Sequence, residues 1–304
     1  MNQFQLNLPA TSANLGPAFD TAALALNLSL RISAVRAKEF AIGAKGRDQE
    51  ICGRLENHLI LTTYREILQA EVKPIIPLAL EIENEFPIGK GCGSSAAARL
   101  AGVALAVHFA KLRWNSSRII GEAARRERHS DNAAACWMGG VTVSRMVGNG
   151  DAQVARFLPK GKWPLLLAIP DESLSTEKAR EVLPRHYSRH DVVSNIQHAM
   201  LLLAALFQGD RQLLASALND RIHQPYRAPL CPLLPALQDF PKEKGVLGAV
   251  LSGAGPSVLM FLDADIPTKK TADRVANHLK HKGMKAELVL TSIARNGGEA
   301  SFQK

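Results

Sequence analysis

The clearest chemistry in the sequence lies in a glycine-rich segment, Pro87–Ser95, which reads PIGKGCGSS and runs directly into an apolar stretch. Three glycines within this short segment allow the backbone to turn its N–H groups toward one point. A helix predicted to begin at Ser94 adds unpaired N–H groups and the positive end of its dipole. Lys90 adds a mobile charge, and Ser95 can cap the helix or bind Mg²⁺. The segment predicts a phosphate-binding loop, although a plain strand-to-helix turn would use the same residue types.

Two common phosphate loops do not fit this segment. A Walker loop requires Gly-Lys followed by Ser or Thr, whereas Lys90 is followed by Gly91. A dinucleotide-binding fingerprint requires glycine at the position of Ser94 and a strand-helix-strand unit around it. The catalytic-loop motif of protein kinases is also absent from the sequence. The segment therefore indicates a phosphate loop of another class.

The charge of the chain also points to an anionic partner. The 304 residues include 37 Lys and Arg against 28 Asp and Glu, a formal net charge of +9. Residues 91–160 hold 10 basic and 4 acidic residues, so the excess is concentrated in the middle of the chain. Such a region favours either a nucleic acid or a phosphorylated small molecule. Aromatic residues make up only 5% and no nucleic-acid recognition signature is present, which disfavours a nucleic acid.

Targeting and redox signals indicate a cytoplasmic protein without a membrane partner. Residues 1–20 lack the positive start and apolar core of a signal peptide. The longest apolar runs, such as Met200–Phe207, are far shorter than the roughly 20 residues that span a bilayer. The four cysteines contain no Cys-x-x-Cys pair, a pattern typical of reduced thiols.

The elements that must position the loop follow an α+β pattern in two lobes, which we divide into residues 1–160 and 161–304. Extended segments are predicted at Phe4–Leu8, Leu24–Val35, Leu78–Ile82, Trp137–Val147 (a strand pair), Pro164–Ile169, Val246–Val250, Ser257–Leu262 and Lys285–Thr291. Helices are predicted at Asn57–Gln69, from Ser94 to Lys111, from Ser116 through Ala124, from Ser175 or Thr176 to Leu183, at Val193–Phe207 and at Thr268–Lys282.

Three motifs stand in this chain order: Pro9–Asp20 (PATSANLGPAFD), Pro87–Ala97 (PIGKGCGSSAA) and Ser252–Ser257 (SGAGPS). They resemble those of the superfamily of galactokinase, homoserine kinase, mevalonate kinase and phosphomevalonate kinase, the GHMP kinases. Matches to the homoserine kinase family within it are His129–Ala135 (HSDNAAA), Pro170–Arg180 (PDESLSTEKAR) and Asp220–Arg227 (DRIHQPYR). The resemblance spans nearly the whole chain. We expect the turn at Ser252–Ser257 to bring the C-terminal lobe against the phosphate loop.

The resemblance implies a fold and an activity. The fold is the two-lobed GHMP-kinase fold, with a ribosomal-protein-S5-like N-terminal lobe that binds the nucleotide and a ferredoxin-like C-terminal α/β lobe. The activity is ATP-dependent phosphorylation of the side-chain hydroxyl of L-homoserine in threonine biosynthesis, in an enzyme compatible with a homodimer. The alternatives are a kinase for another hydroxylated metabolite (threonine, mevalonate or a sugar) and a non-catalytic nucleotide-binding regulator.

The resemblance also implies where ATP and Mg²⁺ bind. The residues expected at the ATP phosphates are Pro87, Ile88, Gly89, Lys90, Gly91, Cys92, Gly93, Ser94, Ser95, Ala96 and Ala97. Mg²⁺ is expected on Ser95 and on a glutamate of the helix before His129. We choose Glu122, because its small and apolar neighbours suggest a buried side facing the site. Glu127 lies in an Arg-Arg-Glu-Arg run, which is typical of a solvated ion pair.

Homoserine presents a carboxylate, an ammonium and a hydroxyl, and the implied substrate residues suit these groups. They are Asn14, Asp20, His129, Thr176, Arg180 and Arg227. Arg180 and Arg227 suit the carboxylate, because a guanidinium grips it through two parallel hydrogen bonds. Thr176 lies one helical turn before Arg180 and can face the same pocket. Asp20 offers a charge to the ammonium, and Asn14 can bond the hydroxyl or the amino group.

The implied catalytic residues are Asn132 and His129. Some GHMP kinases use an aspartate as general base, whereas Asn132 stands in the corresponding place here. The implied mechanism is direct attack of the substrate hydroxyl, oriented by Asn132, on the γ-phosphorus, with its proton passing to a phosphate oxygen or solvent. The sequence departs from the family at Ala18, where a glycine is usual and where alanine resists a positive φ.

Overall fold

A computed structural model describes residues 4–148, 150–241 and 244–302 and contains two β-sheets covered by helices. The strands are β1 (Phe4–Ala13), β2 (Ala22–Arg36), β3 (Ala41–Gly46), β4 (Leu78–Asn84), β5 (Val141–Met146), β6 (Ala152–Phe157), β7 (Leu165–Ile169), β8 (Val246–Leu251), β9 (Val258–Leu262) and β10 (Glu287–Thr291). The helices are α1 (Gln49–Cys52), α2 (Leu59–Ala70), α3 (Ser94–Phe109), α4 (Ser116–Glu127), α5 (Asp131–Met138), α6 (Thr176–Glu181), α7 (Arg189–Gln208), α8 (Arg211–Ala217), α9 (Gln224–Arg227), α10 (Leu233–Gln238), α11 (Thr268–His281) and α12 (Gly298–Phe302).

The first sheet forms the N-terminal lobe. Its order is β3-β4-β2-β5-β6, with β1 also paired to β2, and only β3 and β4 are parallel. The 15-residue β2 pairs with β1 along most of its length and with β4 and β5 at different points. The Pro9–Asp20 motif therefore begins within β1 and ends just before β2, so the paired strands hold it at both ends.

Helix α3 packs inside the N-terminal lobe and carries the phosphate loop at its start. Small residues make it a buried helix, since Ala97, Ala101 and Ala104 are fully inaccessible. Its close approach to α2 depends on Gly102, where a Cβ would lie 2.5 Å from the carbonyl oxygen of Ile60. The packing fixes the axis of α3 and with it the position of its N-terminus.

The second sheet forms the C-terminal lobe, with the order β10-β7-β9-β8 and antiparallel pairing throughout. Every residue of β7 and β9 is buried, because both faces of the sheet are covered. On one face Leu167 and Phe261 join the core of the N-terminal lobe. On the other, Met260 packs in a second cluster with residues of α10 and α11. The shared core sets the position of one lobe against the other.

Most predicted elements are confirmed to within a few residues, but the strand pair predicted within Trp137–Val147 is wrong, because that range holds the end of α5 and one strand, β5. Trp137 belongs to α5, and the hairpin is β5 with β6. A short apolar run does not distinguish a buried helix from a strand by periodicity. Here the small buried side chains at 133–135 allow α5 to pack directly on β1 and β2.

The chain crosses back to the N-terminal lobe after β10. Leu26 and Ile293 form an isolated antiparallel bridge, and α12 packs beside Leu8 and Trp137. The division into residues 1–160 and 161–304 stays a prediction. In the structure, the segment from Ile293 through α12 contacts the N-terminal lobe.

Within the described ranges, every helix is too short or too polar to cross a membrane. All four cysteines, Cys52, Cys92, Cys136 and Cys231, are buried and free.

Candidate active site

The glycine-rich loop forms the end of a cleft where α3 begins. Gly89, Gly91 and Gly93 have φ values of 72°, 80° and 72°, in the left-handed region that favours glycine. Gly93 is the N-cap of α3, and none of the described side chains caps this 16-residue helix. Its first N–H groups are therefore free of side-chain acceptors and, with the helix dipole, suit an anion. This is the geometry expected of a phosphate loop.

Two distant motifs pack against the loop at its glycines. At Gly91, a Cβ would lie 2.2 Å from the carbonyl oxygen of Ser252, whose hydroxyl donates to the Gly91 carbonyl over 2.7 Å. The expected contact of the Ser252–Ser257 turn with the loop is thus confirmed. At Gly93, a Cβ would lie 1.9 Å from Oγ1 of Thr11. A side chain at either position would displace backbone or a buried contact.

Two other loop residues, Lys90 and Cys92, are not among the residues that line the cleft. The ammonium of Lys90 donates to the carbonyl oxygens of Pro170 at 2.8 Å and Asp171 at 3.0 Å. This ammonium thus links the loop to the segment after β7. Cys92 is fully buried, and burial raises the pKa of its thiol to about 12. The thiol stays neutral and fills the space beneath the loop.

Asn132 lies where the loop meets the rest of the cleft. Thr11 donates its hydroxyl hydrogen to Oδ1 of Asn132 over 2.6 Å. A Cβ at Gly93 would lie 3.1 Å from the same oxygen, so the carboxamide sits directly beside the start of α3. Sequence reasoning missed Thr11, although it stands inside the PATSAN motif. Its contact with Asn132 joins residues 121 positions apart, which no local pattern reports.

His129 and Asp131 form a bonded pair next to Asn132. Nδ1 of His129 lies 2.5 Å from Oδ1 of Asp131, and both side chains are largely buried. Burial opposes protonation of His129, but the hydrogen bond and the charge of Asp131 outweigh it and raise the pKa of the imidazole. Ligand atoms of His129, Asp131 and Asp20 all lie within 4.8 Å of one another. This group is the acidic wall of the cleft.

The other wall carries two arginines. Arg180 of α6 forms two bonds with the carboxylate of Asp20, at 2.6 and 3.0 Å, and so joins the two lobes. Arg227 of α9 is almost fully buried; burial and the like charge of Arg180 lower its pKa, although a guanidinium remains protonated. Thr176 starts α6 and lines the same cleft. The cleft that these residues share with the glycine-rich loop encloses about 170 Å³.

Asn14 shapes the loop that carries Asp20. It has a φ of 71°, and its side-chain amide donates to the Gly253 carbonyl oxygen over 2.7 Å. Its Oδ1 accepts the backbone N–H of Asp20 over 2.9 Å. Contact of Asn14 with a substrate stays a prediction, since its carboxamide already bonds both lobes. Ala18 is not among the left-handed residues, so alanine is accommodated there without strain.

Glu127, and not the expected Mg²⁺ ligand Glu122, lies beside Ser95. Oγ of Ser95 donates to Oε1 of Glu127 over 2.6 Å, and Arg99 pairs with the same oxygen. Glu122 instead pairs with Arg126 at 2.8 Å. The two glutamates are five residues apart, about 140° around a helix, so they face different surroundings. Arg125 and Arg126 of the Arg-Arg-Glu-Arg run pair with Glu122, whereas Glu127 pairs with Arg99 of α3.

Comparison with known proteins gives matches over most of this chain. The family models "GHMP kinases N terminal domain" and "GHMP kinases C terminal" match residues 58–140 and 202–285. A homoserine kinase of Solibacter usitatus (strain Ellin6076) is 41% identical over 97% of this chain and 96% of its own. A homoserine kinase of Deinococcus radiodurans is 38% identical over 86% of this chain and 84% of its own. The crystal structure of homoserine kinase from Cytophaga hutchinsonii has the same fold, with a TM-score of 0.82, 20% identity and coverage of 98% and 96%.

Proposed function

The chain belongs to the homoserine kinase family of the GHMP kinases, and from this membership we propose that it transfers the γ-phosphoryl group of ATP to the side-chain hydroxyl of L-homoserine. One observation supports this cleft as the place where the reaction occurs. An anion-binding loop stands at one end, and a carboxylate with two guanidinium groups stands at the other. This arrangement suits ATP phosphates beside an α-amino acid, whose carboxylate and ammonium need opposite charges.

The substrate end supplies these opposite charges. The carboxylate of the substrate binds Arg227 and Arg180, and the ammonium of the substrate binds Asp20. Asp20 and Arg180 already form an ion pair. The carboxylate and ammonium of the substrate therefore bind beside two opposite charges that neutralise each other, rather than beside an isolated buried ion. A sugar has neither charge and mevalonate has no ammonium, so the cleft favours an amino acid over both.

Asn132 orients the hydroxyl that attacks the γ-phosphorus. Its Oδ1 accepts from Thr11, and one hydrogen of Nδ2 is donated to Oδ1 of Asp131 over 3.4 Å, so the second Nδ2 hydrogen is the one that donates toward the substrate oxygen. A donor there leaves a lone pair of the hydroxyl oxygen directed at phosphorus and its proton free to pass to a phosphate oxygen or solvent. His129, held by Asp131, lines the same wall and restricts the position of the substrate side chain.

Ser95 and Glu127 suit Mg²⁺, since a hydroxyl and a carboxylate provide the hard oxygen ligands that this ion prefers. Two protein ligands are enough, because Mg²⁺ keeps several waters and phosphate oxygens in its shell. When bound, the ion neutralises phosphate charge. Ser95 therefore keeps its proposed role, and Glu127 takes the place given to Glu122. The cytoplasmic location and the homodimer stay predictions.

The test is an assay of ADP release with L-homoserine, L-threonine, mevalonate and galactose as acceptors. We expect the highest kcat/KM with L-homoserine. A preference for another acceptor would support a related kinase, and nucleotide binding without turnover would support a non-catalytic regulator. Unchanged turnover in Asn132→Ala would exclude the orienting role of Asn132.

A further inference from the structure

Arg227 is held by three contacts that leave little freedom to its guanidinium. Nε donates to the carbonyl oxygen of Ala179 over 2.9 Å, and Nη1 lies 3.2 Å from Nδ1 of His223. The Cζ atom lies 5.2 Å from the centre of the Phe19 ring, within the distance of a cation–π contact. Only 1% of Arg227 is exposed, so these neighbours decide where its remaining N–H groups point.

His223 is also bonded on its other ring nitrogen. Nε2 lies 2.8 Å from the carbonyl oxygen of Gly16, in the loop that carries Asp20. The imidazole is fully buried and stacks on Phe19, with ring centres 5.1 Å apart. One imidazole thus contacts the N-terminal lobe through Gly16 and the C-terminal lobe through Arg227.

These two contacts allow only one protonation state of His223. A carbonyl oxygen accepts and never donates, so Nε2 carries the hydrogen toward Gly16. A guanidinium donates and never accepts, so Nδ1 carries a lone pair toward Arg227. The neutral Nε2–H tautomer satisfies both bonds. Burial lowers the pKa of His223, against the nearby charge of Asp220, which favours the same neutral form.

Asp220 bonds the backbone of the turn that contains His223. Its carboxylate accepts the backbone N–H groups of Ile222, His223 and Gln224 at 2.8, 3.0 and 2.5 Å. The carboxylate therefore orders the turn that places His223 and leads into α9. Its own negative charge lies 3.5 Å from Nε2, farther than the Gly16 carbonyl oxygen.

We propose that His223 is a positioning residue. Its neutral imidazole orients the guanidinium of Arg227 toward the substrate carboxylate and couples that orientation to the position of the loop that contains Gly16. The inference rests on the proposed function in one respect: Arg227 is taken to bind the carboxylate of the amino-acid substrate. His223 itself does not touch the reacting atoms. Its effect should therefore appear in the KM for the amino acid rather than in the KM for ATP.

Two amide variants separate the two bonds of the imidazole. In His223→Asn, Oδ1 takes the place of Nδ1 and can still accept from Arg227, whereas the bond to Gly16 is lost. In His223→Gln, the amide NH₂ takes the place of Nε2 and can still donate to Gly16, whereas the acceptor for Arg227 is lost. Both variants remove the imidazole ring from the face of Phe19, so the loss of this stacking contact is common to both.

The experiment measures steady-state kinetics and thermal unfolding of the wild type, both His223 variants and a control. The control is His278→Gln, because His278 also bonds a backbone carbonyl through Nε2, at 2.8 Å from Ala236, and packs against a phenylalanine ring. We expect the homoserine KM to rise about tenfold in His223→Gln, the loss expected for one bond to a charged group, and clearly less in His223→Asn. The ATP KM should stay within twofold in all variants, and His278→Gln should leave both KM values unchanged.

Equal homoserine KM values in the two His223 variants would overturn the inference, since a purely structural histidine would not distinguish the bonds. A parallel rise in the ATP KM would overturn it too. ¹⁵N NMR of the wild type supplies a readout without turnover: the Nε2–H tautomer supports the inference, and a protonated or Nδ1–H imidazole overturns it. If the wild type fails to phosphorylate homoserine, the proposed function fails, whereas the NMR result still decides the state of His223.

Discussion

The two ends of the cleft are built in different ways. The phosphate end consists of the consecutive residues Gly89–Ser95, and the groups proposed to bind the anion are backbone N–H groups oriented by left-handed glycines and by the start of α3. The substrate end consists of side chains from both lobes that hold one another, as Asp20 holds Arg180 and His223 holds Arg227. A backbone site depends on local conformation, whereas a side-chain site depends on packing. Changes at the first end should impair phosphoryl transfer itself, and changes at the second should impair only amino-acid binding.

The strongest test of the phosphate end is Gly93→Ala. The new Cβ would lie 1.9 Å from Oγ1 of Thr11 at a φ of 72°, so the loop must shift and its N–H groups lose their direction. Loss of one oxyanion-hole donor lowers kcat by about 10²–10³-fold in other enzymes, and we expect an effect of similar size here, together with a higher ATP KM. Steady-state kinetics on the folded variant check this. Gly148→Ala is the control, because a Cβ there meets nothing within 4 Å, and activity close to wild type in Gly93→Ala would contradict a backbone-built site.

The second test compares the two glutamates near the phosphate end. Glu127→Gln weakens the oxygen set with Ser95, so we expect kcat to fall at least about 10–100-fold and the Mg²⁺ requirement to rise. Glu122→Gln breaks only ion pairs with arginines and should leave kcat within about twofold, since such pairs contribute little. Measuring the activity of each variant as a function of Mg²⁺ concentration gives both kcat and the Mg²⁺ requirement. The reverse ranking would restore Glu122 as the ligand.

The third test addresses the substrate end through Arg180→Lys. Lysine keeps the charge but lacks the planar fork that holds Asp20 by two bonds, so the homoserine KM should rise about tenfold. The ATP KM should not change, because the nucleotide loop is fixed by other contacts. Measuring both KM values with each substrate varied in turn checks the prediction. An equal rise in both would mean that the two ends are not independent.

The smallest expected effect is the pH dependence of the His129–Asp131 pair. The pKa of His129 is raised in the folded protein, so protonated His129 stabilises the fold below the unfolded value of 6.5 and this contribution is lost as pH rises through the folded pKa. The free energy of unfolding should therefore differ between wild type and His129→Asn by on the order of 1 kcal/mol more at pH 5.5 than at pH 8.5. Urea unfolding at several pH values measures this difference. A difference that does not vary with pH would show that Asp131 does not raise the pKa.

The sequence predicted much of the fold, because its periodicity and caps are local signals. Helix α7 ends at Gly209, as expected of a glycine in the left-handed conformation, and α6 is capped by Ser175. The prediction failed at α5, where a short apolar run could not be assigned to helix or strand until its packing on β1 and β2 was known.

At the candidate site, too, local features could be predicted from the sequence, whereas contacts between distant residues could not. The glycine loop could be identified from seven consecutive residues, because glycine spacing alone specifies the backbone turns. Glu127 could not be distinguished from Glu122, because two glutamates on one helix differ only in which neighbours each one meets. The roles of Thr11 and His223 were invisible for the same reason, since their partners lie far away along the chain.

The sequence by itself determined the left-handed turns of the glycine loop, the order of the motifs and most of the helices and strands. These depend on φ preferences, capping and periodicity, which act over a few neighbouring residues. Only the tertiary structure decided that Asp20 pairs with Arg180, that Glu127 meets Ser95 and that His223 bonds both Gly16 and Arg227. Such contacts depend on how two lobes with a shared core pack together, and that packing is set by the whole chain rather than by any segment.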